Sequence, residues 1–267
     1  MIFLSSLKYN RPELLKSEFP FNINLMNNFE GLELDSPVTI LVGENGTGKS
    51  TLLEGLAAAA GSIAAGNESI KTDKTLEHAR KLGKHLKLVW KRRTHRGFFL
   101  RSEDFFNFTK RVSELRAEMN EYLGEIDEEY KGRSEKAKQF ARMPYAGSIA
   151  GLTQKYGEDL DANSHGESFF KFFQSRFVPE GLYILDEPEA PLSPIRQLAF
   201  ISMLKDMVNE GSQFIIATHS PILMAFPEAA IISFDETPPR AVKYADLPQV
   251  NLIKAFLNNP GQFLKHL

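Results

Sequence analysis

The chain alternates short apolar runs with longer stretches of helical pattern. Residues 38–42, 182–185, 213–217 and 229–234 are mostly apolar and rich in β-branched or aromatic side chains, which indicates buried strands. Residues 86–90 alternate apolar and polar side chains, and this period of two predicts a further strand. The run at 229–234 is the last strand that the pattern predicts.

Helical patterns fill several of the intervals between these strands. Residues 49–66 are rich in leucine and alanine and end in glycines, so they predict a helix. Residues 108–143 are heavily charged, with apolar side chains at three- and four-residue steps. These side chains are Val112, Leu115, Met119, Leu123, Ile126 and Tyr130. The repeat lasts under three heptads, which predicts a helical subdomain or a short hairpin and not a long coiled coil.

Strands that alternate with helices and end in polar residues predict an α/β fold with a mainly parallel sheet flanked by helices. We expect one domain over residues 1–267, with a helical lobe at about residues 105–165. In sheets of this kind, ligands bind beyond the carboxyl ends of the strands. The polar residues that follow each predicted strand are therefore the candidates for chemistry.

The first of these polar segments, residues 43–50, reads GENGTGKS and matches the Walker A pattern. Its glycines can turn successive N–H groups inward to form an anion nest, and the following helix adds its positive N-terminal end. Lysine can reach the β- and γ-phosphates, and the serine hydroxyl can ligate Mg²⁺. The residues predicted to bind nucleotide here are Gly43, Asn45, Gly46, Thr47, Gly48, Lys49, Ser50 and Thr51.

Two further strand ends carry groups suited to hydrolysis. Asp186 directly follows the strand at 182–185 and is placed to hold Mg²⁺ together with Ser50, while Glu187 can act as the general base for water. His219 follows the strand at 213–217, where it can bind the γ-phosphate or orient the water. We therefore predict Glu187, His219 and Lys49 as the catalytic residues.

A second glycine-containing helix start lies at residues 163–170, which read NSHGESFF. A helix N-terminus with Ser164, Gly166 and Glu167 is again an anion site. One chain cannot easily aim two helix starts at one γ-phosphate, but two chains can. We therefore predict that this segment of one protomer closes over the nucleotide of another.

Taken in order, these motifs resemble the ABC-type ATPase fold. Residues 163–167 stand where that superfamily has its L-S-G-G-Q signature, and the resemblance covers about residues 37–220. It implies ATP and Mg²⁺ as ligands and an ATP-dependent homodimer with two composite sites. The DEPEA sequence at residues 186–190 is similar to the non-transporter branch, which includes SMC-, RecF- and OLD-related ATPases and small bacterial AAA-family ATPases.

Ser193 stands where transporter ATPases have an aspartate, which also favours the non-transporter branch. Two departures limit the resemblance. No glutamine occupies the Q-loop region, where Arg101, Ser102 and Glu103 lie instead. There is also no long coiled-coil insertion before the signature. The segment GFFLRSEDFFNF at residues 97–108 has two interpretations: Arg101 or Glu103 replaces the Q-loop glutamine, or the segment is an aromatic core strand and turn.

Composition adds a candidate for the partner. Hydrophobic residues make up 42% and charged residues 25% of the chain, cysteine is absent, and the net charge is only −2. The charge is uneven, because residues 71–101 hold eleven Lys/Arg against two Asp/Glu. Such a segment indicates either an anionic partner or a solvated surface balanced by acidic neighbours. No apolar stretch resembles a signal peptide or is long enough to cross a bilayer, so we expect a cytoplasmic protein.

Three hypotheses for the partner remain open. The basic segment favours DNA, in chromosome maintenance, repair or phage defence. An ABC transporter subunit is the second, although the DEPEA sequence and the missing glutamine argue against it. The third is a regulatory ATPase that gates a protein effector.

Overall fold

A computed structural model describes residues 1–65, 73–156 and 165–265 of the 267-residue chain. The strands in the described part are β1 Leu4–Tyr9, β2 Gly31–Glu33, β3 Val38–Val42, β4 Leu86–Trp90, β5 Phe99–Leu100, β6 Leu182–Asp186, β7 Gln213–Ala217, β8 Ala230–Ser233 and β9 Arg240–Val242. The helices are α1 Asn24–Asn28, α2 Lys49–Ala60, α3 Glu77–Gly83, α4 Ser102–Glu129, α5 Glu135–Tyr156, α6 His165–Arg176, α7 Pro194–Asn209, α8 Pro221–Met224, α9 Pro248–Asn258 and α10 Pro260–Leu264.

The larger sheet has six strands in the order β5-β6-β7-β3-β8-β9. Neighbouring strands from β5 to β8 pair in parallel, and β9 joins β8 in the antiparallel direction. Helices cover both faces of this sheet, so the predicted α/β fold with a mainly parallel sheet is confirmed. All five runs that the pattern assigned to strands are strands, namely β3, β4, β6, β7 and β8.

Two details of the strand prediction are wrong. The run at 229–234 is not the last strand, because β9 follows it and closes the edge of the sheet. β4 belongs to a separate three-stranded antiparallel sheet of order β2-β1-β4, and the pattern missed both of its partners. β2 has three residues and β9 has three, which is too short for a periodicity of two to be recognised.

The sheet separates two hydrophobic cores. The α2-side core contains the apolar face of α2, with Leu52, Leu53 and Leu56, together with α3 and the inner face of the small antiparallel sheet. The α6-side core contains α6 and parts of α4, α7 and α9. Successive residues of the central strands contribute to opposite cores, as expected for a strand that is buried on both sides.

Aromatic rings dominate the α6-side core. Phe169 and Phe173 of α6 lie 4.5 Å apart between ring centroids, and Phe169 meets Phe105 of α4 at 4.8 Å. Tyr183 of β6 stacks on Phe214 of β7 at 5.0 Å, and its hydroxyl bonds to the backbone of residue 178. Phe177, directly after α6, meets Tyr183 at 4.8 Å, so α4 and α6 are joined to the strand that ends at Asp186. Edge-to-face and stacked pairs of this kind contribute beyond the area they bury.

A buried glutamine joins the two sheets. Gln213 is the first residue of β7 and is fully buried. Its side-chain oxygen accepts hydrogen bonds from the backbone N–H groups of Phe3 and Leu4 at 2.8 and 2.9 Å, and its amide donates to the Leu4 carbonyl at 2.8 Å. All polar groups of this buried amide except one N–H are thereby paired, which fixes β1 against the end of β7.

Helices α4 and α5 form a hairpin between β5 and α6. Asp127 near the end of α4 forms ion pairs with Arg142 and Lys138 of α5, the second at 3.3 Å. Tyr122 and Tyr145 also meet across the hairpin, with ring centroids 5.3 Å apart. The base of α4 enters the α6-side core through Phe105 and Phe108, while most of the hairpin beyond it is exposed or half-buried.

One glycine at the edge of the larger sheet gives a direct test of the packing. Gly97 has φ of +106°, and a Cβ there would lie 1.9 Å from the carbonyl oxygen of Leu182. We expect Gly97→Ala to lower the free energy of unfolding by more than about 3 kcal/mol, measured by urea denaturation. Gly132 is the matched control, because it has φ of +88° and nothing within 4 Å of an added Cβ. Gly132→Ala should cost only about 1–2 kcal/mol, and equal losses in the two variants would contradict the close approach.

Candidate nucleotide site

The loop between β3 and α2 has the backbone geometry of an anion nest. Gly43, Gly46 and Gly48 all have positive φ, at 143°, 82° and 95°. Side chains other than glycine rarely adopt these angles, so the three glycines are what let the loop turn its N–H groups inward. α2 begins directly after the last of them, at Lys49, and its N-terminal end therefore faces the nest. Asn45 lies at the exposed tip and Thr51 in the first turn of α2.

The lysine of this loop lies back over the loop itself. The ammonium of Lys49 donates to the carbonyl oxygens of Gly43 and Glu44 at 2.7 and 2.8 Å, and to the Thr47 hydroxyl at 3.3 Å. Burial lowers the pKa of Lys49, against the opposing charges of Asp186 and other nearby carboxylates. A buried ammonium whose donors are held by neutral carbonyls is ready to exchange them for an anion.

Asp186 ends β6 and points into the same region. It is 8% exposed, and its side chain accepts a hydrogen bond from Ser50. Its Oδ1 atom is buried without a hydrogen-bond partner among the described residues. Burial raises the pKa of Asp186 to about 7, helped by the nearby carboxylates of Glu187 and Glu54 and opposed by Ser50 and Lys49.

These residues fit a magnesium ion. A buried carboxylate oxygen with a free lone pair, beside a serine hydroxyl, is the donor set that a hard divalent cation takes. A cation there would favour the ionised form of Asp186 and so oppose the effect of burial on its pKa. Among the described residues no cluster of three or more His, Cys, Asp or Glu side chains could hold a metal by itself, so Ser50 and Asp186 remain the candidates.

Glu187 and His219 face each other at the ends of β6 and β7. The Nε2 atom of His219 lies 3.7 Å from the Oε1 atom of Glu187, and the two side chains are 39% and 43% exposed. Glu187 has φ of 48°, an uncommon angle for a residue with a side chain, and its N–H bonds to the Ala217 carbonyl at 2.9 Å. This local strain places the carboxylate at the strand end, open to solvent on one side.

A cavity of about 770 Å³ opens beside these groups. Residues of the phosphate loop line one wall, and His219, Asp235 and the start of α9 line the others. Asp235 accepts a hydrogen bond from the Glu44 N–H at 2.8 Å and so holds the loop from the side of β8. The sequence pattern did not single out Asp235, because nothing local relates it to a loop 191 residues earlier.

Glu189 is a second acidic residue that the sequence analysis passed over. Its Oε1 atom accepts hydrogen bonds from the Thr218 hydroxyl and from the N–H groups of His219 and Ser220, at 2.7, 2.7 and 3.1 Å. Its Oε2 atom is buried without a hydrogen-bond partner among the described residues. Burial raises the pKa of Glu189, and the hydrogen bonds from the Thr218 hydroxyl, from its own backbone and from the His219 N–H oppose that effect. The sequence did contain a signal for Glu189, because it is the third acidic residue of the DEPE sequence at residues 186–189. That sequence was used only to distinguish the non-transporter branch from transporter ATPases.

The predicted signature segment is described only in part. Ser164 lies outside the described residues, and Gly166 and Glu167 lie in the first turn of α6, where the structure gives the backbone alone. α6 packs into the α6-side core, whereas α2 packs into the α2-side core. The two helix starts therefore belong to elements on opposite faces of the larger sheet.

Arg101 occupies the Q-loop region and is held by acidic neighbours. It forms ion pairs with Asp73 at 3.2 Å, with Glu103 at 2.9 Å and with Asp104 at 2.8 Å. The bonds between Arg101 and Asp104 form a capping box at the start of α4. β5 is a buried core strand, as the second interpretation of this segment predicted, and Arg101 links its end to the helical hairpin. The replacement of the Q-loop glutamine by Arg101 or Glu103 stays a prediction.

Comparison with protein families identifies the group to which this site belongs. The sequence profile of the AAA domain matches residues 21–161, which is more than half of the chain and includes the whole phosphate loop. The chain belongs to the AAA-domain family. A second AAA-domain profile, whose description refers to the AbiEii toxin of a type IV toxin–antitoxin system, matches residues 173–225. No curated protein matches the sequence.

Several solved structures are similar to this chain at low sequence identity. An inward-facing ABC transporter of metal-chelate type is 15% identical over 97% of this chain and 90% of its own, with a TM-score of 0.49. The Smc head domain from Pyrococcus furiosus, bound to part of ScpA, is 12% identical over 97% and 99% of the two chains, with a TM-score of 0.45. A nucleotide-free ATP-binding cassette of an ABC transporter is 16% identical over 95% and 99%, with a TM-score of 0.46.

The family match confirms the resemblance to ABC-type ATPases of the non-transporter branch. It supports ATP binding and hydrolysis as the general activity of this AAA domain. In the described part of the chain, no helix combines the length and the apolar character that a membrane span needs.

The raised pKa of Asp186 predicts that a neutral side chain at this position stabilises the fold, although it removes a candidate magnesium ligand. Its folded-state pKa of about 7 lies above the ordinary 3.8, so the penalty for ionising it grows as pH rises between these values and is complete above about pH 7. We expect Asp186→Asn to raise the free energy of unfolding by about 1–4 kcal/mol at pH 8 in magnesium-free buffer. The melting temperature should rise by several degrees.

The control for this variant is the adjacent Glu187→Gln, which is isosteric but half-exposed. Its stability should change by no more than about 0.5 kcal/mol. The gain of Asp186→Asn should shrink at pH 5.5, where the folded wild type already keeps this carboxyl protonated. A lower melting temperature for Asp186→Asn at pH 8 would contradict the assigned ionisation.

Proposed function

We propose that this AAA domain hydrolyses ATP to ADP and phosphate in composite sites, which form when two copies of the chain close over two nucleotides. The observation that carries the proposal is that the site is open on one side. At one edge of the sheet the phosphate loop meets Asp186, Glu187 and His219. The side chains of Glu187 and His219 are half-exposed. α6, whose start carries the second anion-binding segment, packs on the opposite face from α2.

The phosphate loop would bind the triphosphate. The backbone N–H groups turned inward by Gly43, Gly46 and Gly48 would receive the phosphate oxygens. Lys49 would release the Gly43 and Glu44 carbonyls and donate to the β- and γ-phosphates. Magnesium, held by Ser50 and Asp186, supplies charge neutralisation across the phosphates when it is bound.

The carboxylate of Glu187 supplies the general base. It would accept a proton from a water molecule as that oxygen attacks the γ-phosphorus and the bond to the β-phosphate oxygen breaks. His219 faces the same carboxylate at 3.7 Å and would hold the attacking water or a γ-phosphate oxygen in line. Both side chains are open to solvent in the single chain, so a productive site needs a cover that excludes bulk water.

We assign that cover to the second copy. Its Ser164, Gly166 and Glu167 would approach from the opposite side and place the N-terminal end of α6 on the γ-phosphate. A two-fold dimer makes two equal sites of this kind. Loss of the γ-phosphate removes the group that both copies hold, so the dimer opens and the helical hairpin α4–α5 changes its position relative to a partner.

Sizing of a hydrolysis-deficient variant tests the composite site. Glu187→Gln should keep nucleotide binding and form a dimer at saturating ATP and Mg²⁺, measured by light scattering after size exclusion. Adding Ser164→Arg should abolish the dimer, because a bulky cation would fill the position of the closing helix start.

The matched control for the added arginine is Ser202→Arg, on the exposed face of α7. It should leave the ATP-dependent dimer of Glu187→Gln intact. A Glu187→Gln protein that binds ATP and stays monomeric would overturn the composite site.

A basic surface supports nucleic acid as the partner. Lys8 of β1 stands directly opposite Lys87 of β4 in the antiparallel ladder, an arrangement in which like charges repel. Lys91 and Arg93 continue the exposed basic surface beyond the end of β4. In the described part of the chain, none of these four residues forms an ion pair within 4 Å. Phosphates of a nucleic-acid backbone would relieve this repulsion. The toxin–antitoxin description of the second family profile is compatible with a defence setting.

Charge reversal on this surface tests the nucleic-acid proposal. The double variant Lys8→Glu, Lys87→Glu should weaken binding of a duplex DNA by more than about tenfold at 50 mM salt, and should flatten the salt dependence. Lys205→Glu, which reverses an exposed charge on α7, is the control and should bind as the wild type does.

Failure of the wild type to bind duplex DNA at low salt would overturn this part of the proposal. A stable complex with a second protein would then favour the effector-gating alternative, and co-purification with a permease would favour a transporter subunit. Neither result would affect the hydrolysis assigned to the composite site.

A further inference from the structure

Glu189 holds the turn that carries His219. Its Oε1 atom alone receives three hydrogen bonds, from the Thr218 hydroxyl and from the N–H groups of His219 and Ser220. A single carboxylate oxygen that accepts three donors fixes this turn at three consecutive residues. The side chain of Glu189 therefore acts across the gap between the ends of β6 and β7.

A second contact holds the same turn from β6. The N–H of Glu187 donates to the Ala217 carbonyl at 2.9 Å, directly before the residues that Glu189 holds. Glu187 and Glu189, on either side of Pro188, thus form hydrogen bonds with consecutive residues at the end of β7. The distance of 3.7 Å between His219 and Glu187 depends on both contacts, because the bond to the Ala217 carbonyl sets the position of Glu187 and the bonds to Glu189 set that of His219.

A relay connects the turn to the start of α7. The Ser220 hydroxyl donates to the side-chain oxygen of Gln197 at 2.5 Å, and the Gln197 amide donates to the Leu192 carbonyl at 3.0 Å. The Ser220 oxygen also caps α8 by accepting from two backbone N–H groups. The turn is therefore held on the far side as well. Loss of Glu189 would leave it anchored at Ala217 and at Ser220, with the N–H of His219 between them released.

We propose that Glu189 is a positioning residue for hydrolysis, which acts through the 218–220 turn to keep His219 beside Glu187 and does not touch the nucleotide. This inference rests on the hydrolysis proposed above. It explains why this position carries a buried carboxylate with one oxygen, Oε2, that has no hydrogen-bond partner among the described residues. An unpaired buried oxygen is unfavourable for folding, and a gain in function is a physical reason to keep it.

The alternative role is purely structural, in which Glu189 only staples two strand ends together. The two roles differ in how Glu189 and His219 combine. If Glu189 acts through His219, removing it has no further effect once the imidazole is gone. If it acts only on the stability of the fold, its effect on turnover persists when His219 is replaced.

A double-mutant cycle on steady-state ATP turnover separates these roles. We expect Glu189→Ala to lower kcat by about 100-fold while KM changes by less than about threefold, since the phosphate loop is untouched. His219→Ala should lower kcat by a similar factor. The double variant should be no more than about threefold slower than His219→Ala alone. Asp206→Ala, an exposed acidic residue of α7, is the control and should turn over as the wild type does.

Glu189→Gln keeps the test valid if the alanine variant does not fold. It has the same shape and keeps one acceptor oxygen, but it loses the charge and places an N–H₂ group where Oε2 has no partner among the described residues. We expect its kcat to fall about tenfold, with nucleotide binding retained, and this loss should also disappear in the His219→Ala background.

The outcomes distinguish this inference from the function on which it rests. Turnover of Glu189→Gln and Glu189→Ala at the wild-type rate, with His219→Ala slow, would overturn the positioning role alone. Losses that multiply in the double variant would do the same. A wild-type protein that binds ATP but never hydrolyses it would overturn both proposals together.

Discussion

The parallel register of three neighbouring strands is the constraint on which this site depends. Ala217 of β7 pairs with Leu41 of β3 on one side and with Asp186 of β6 on the other. Adjacent strands lie about 4.8 Å apart, so the residues that follow these pairs must emerge side by side at one edge. The phosphate loop, the acidic pair at residues 186–187 and the 218–220 turn are those residues. The site is therefore assembled by backbone pairing before any ligand binds.

This assembly concentrates negative charge. Asp186, Glu187, Glu189 and Asp235 all lie near the phosphate loop, and Lys49 is the ammonium placed among them. The negative charges of these side chains would repel a triphosphate if no other group of the chain opposed them. Two features of the chain offset it: a nest of backbone N–H groups, and the burial of Asp186, which raises the pKa of this carboxyl to about 7 and so reduces its negative charge. In the proposed function, a magnesium ion held by Ser50 and Asp186 would offset the negative charge that remains.

The sequence was sufficient for the parts of this site that depend on local order. A strand, a glycine loop and a helix follow each other within residues 38–60, and the acidic pair and His219 each directly follow an apolar run, so their positions could be predicted from spacing. The roles assigned to these residues remain predictions. Contacts between distant segments were beyond reach. Glu189 meets a turn 30 residues later, Asp235 meets a loop 191 residues earlier, and Gln213 meets β1 at 209 and 210 residues. No period or motif encodes such pairs, because they arise only when the sheet order is known.

The separation of the two cores gives the proposed closure a mechanical consequence. α6 carries the segment that would meet a second copy. Its Phe169 packs against Phe105 of α4, and Phe177, directly after α6, packs against Tyr183 of β6 in the α6-side core. Closely packed aromatic cores have low compressibility, so a force on α6 moves the packed elements together. α4 is one of those elements and extends into the helical hairpin, while β6 is another and ends at Asp186 and Glu187. A contact at the start of α6 would therefore displace both the helical hairpin and the end of β6 in the same chain. In a two-fold dimer, this route would couple the nucleotide of one copy to the hydrolytic groups of the other.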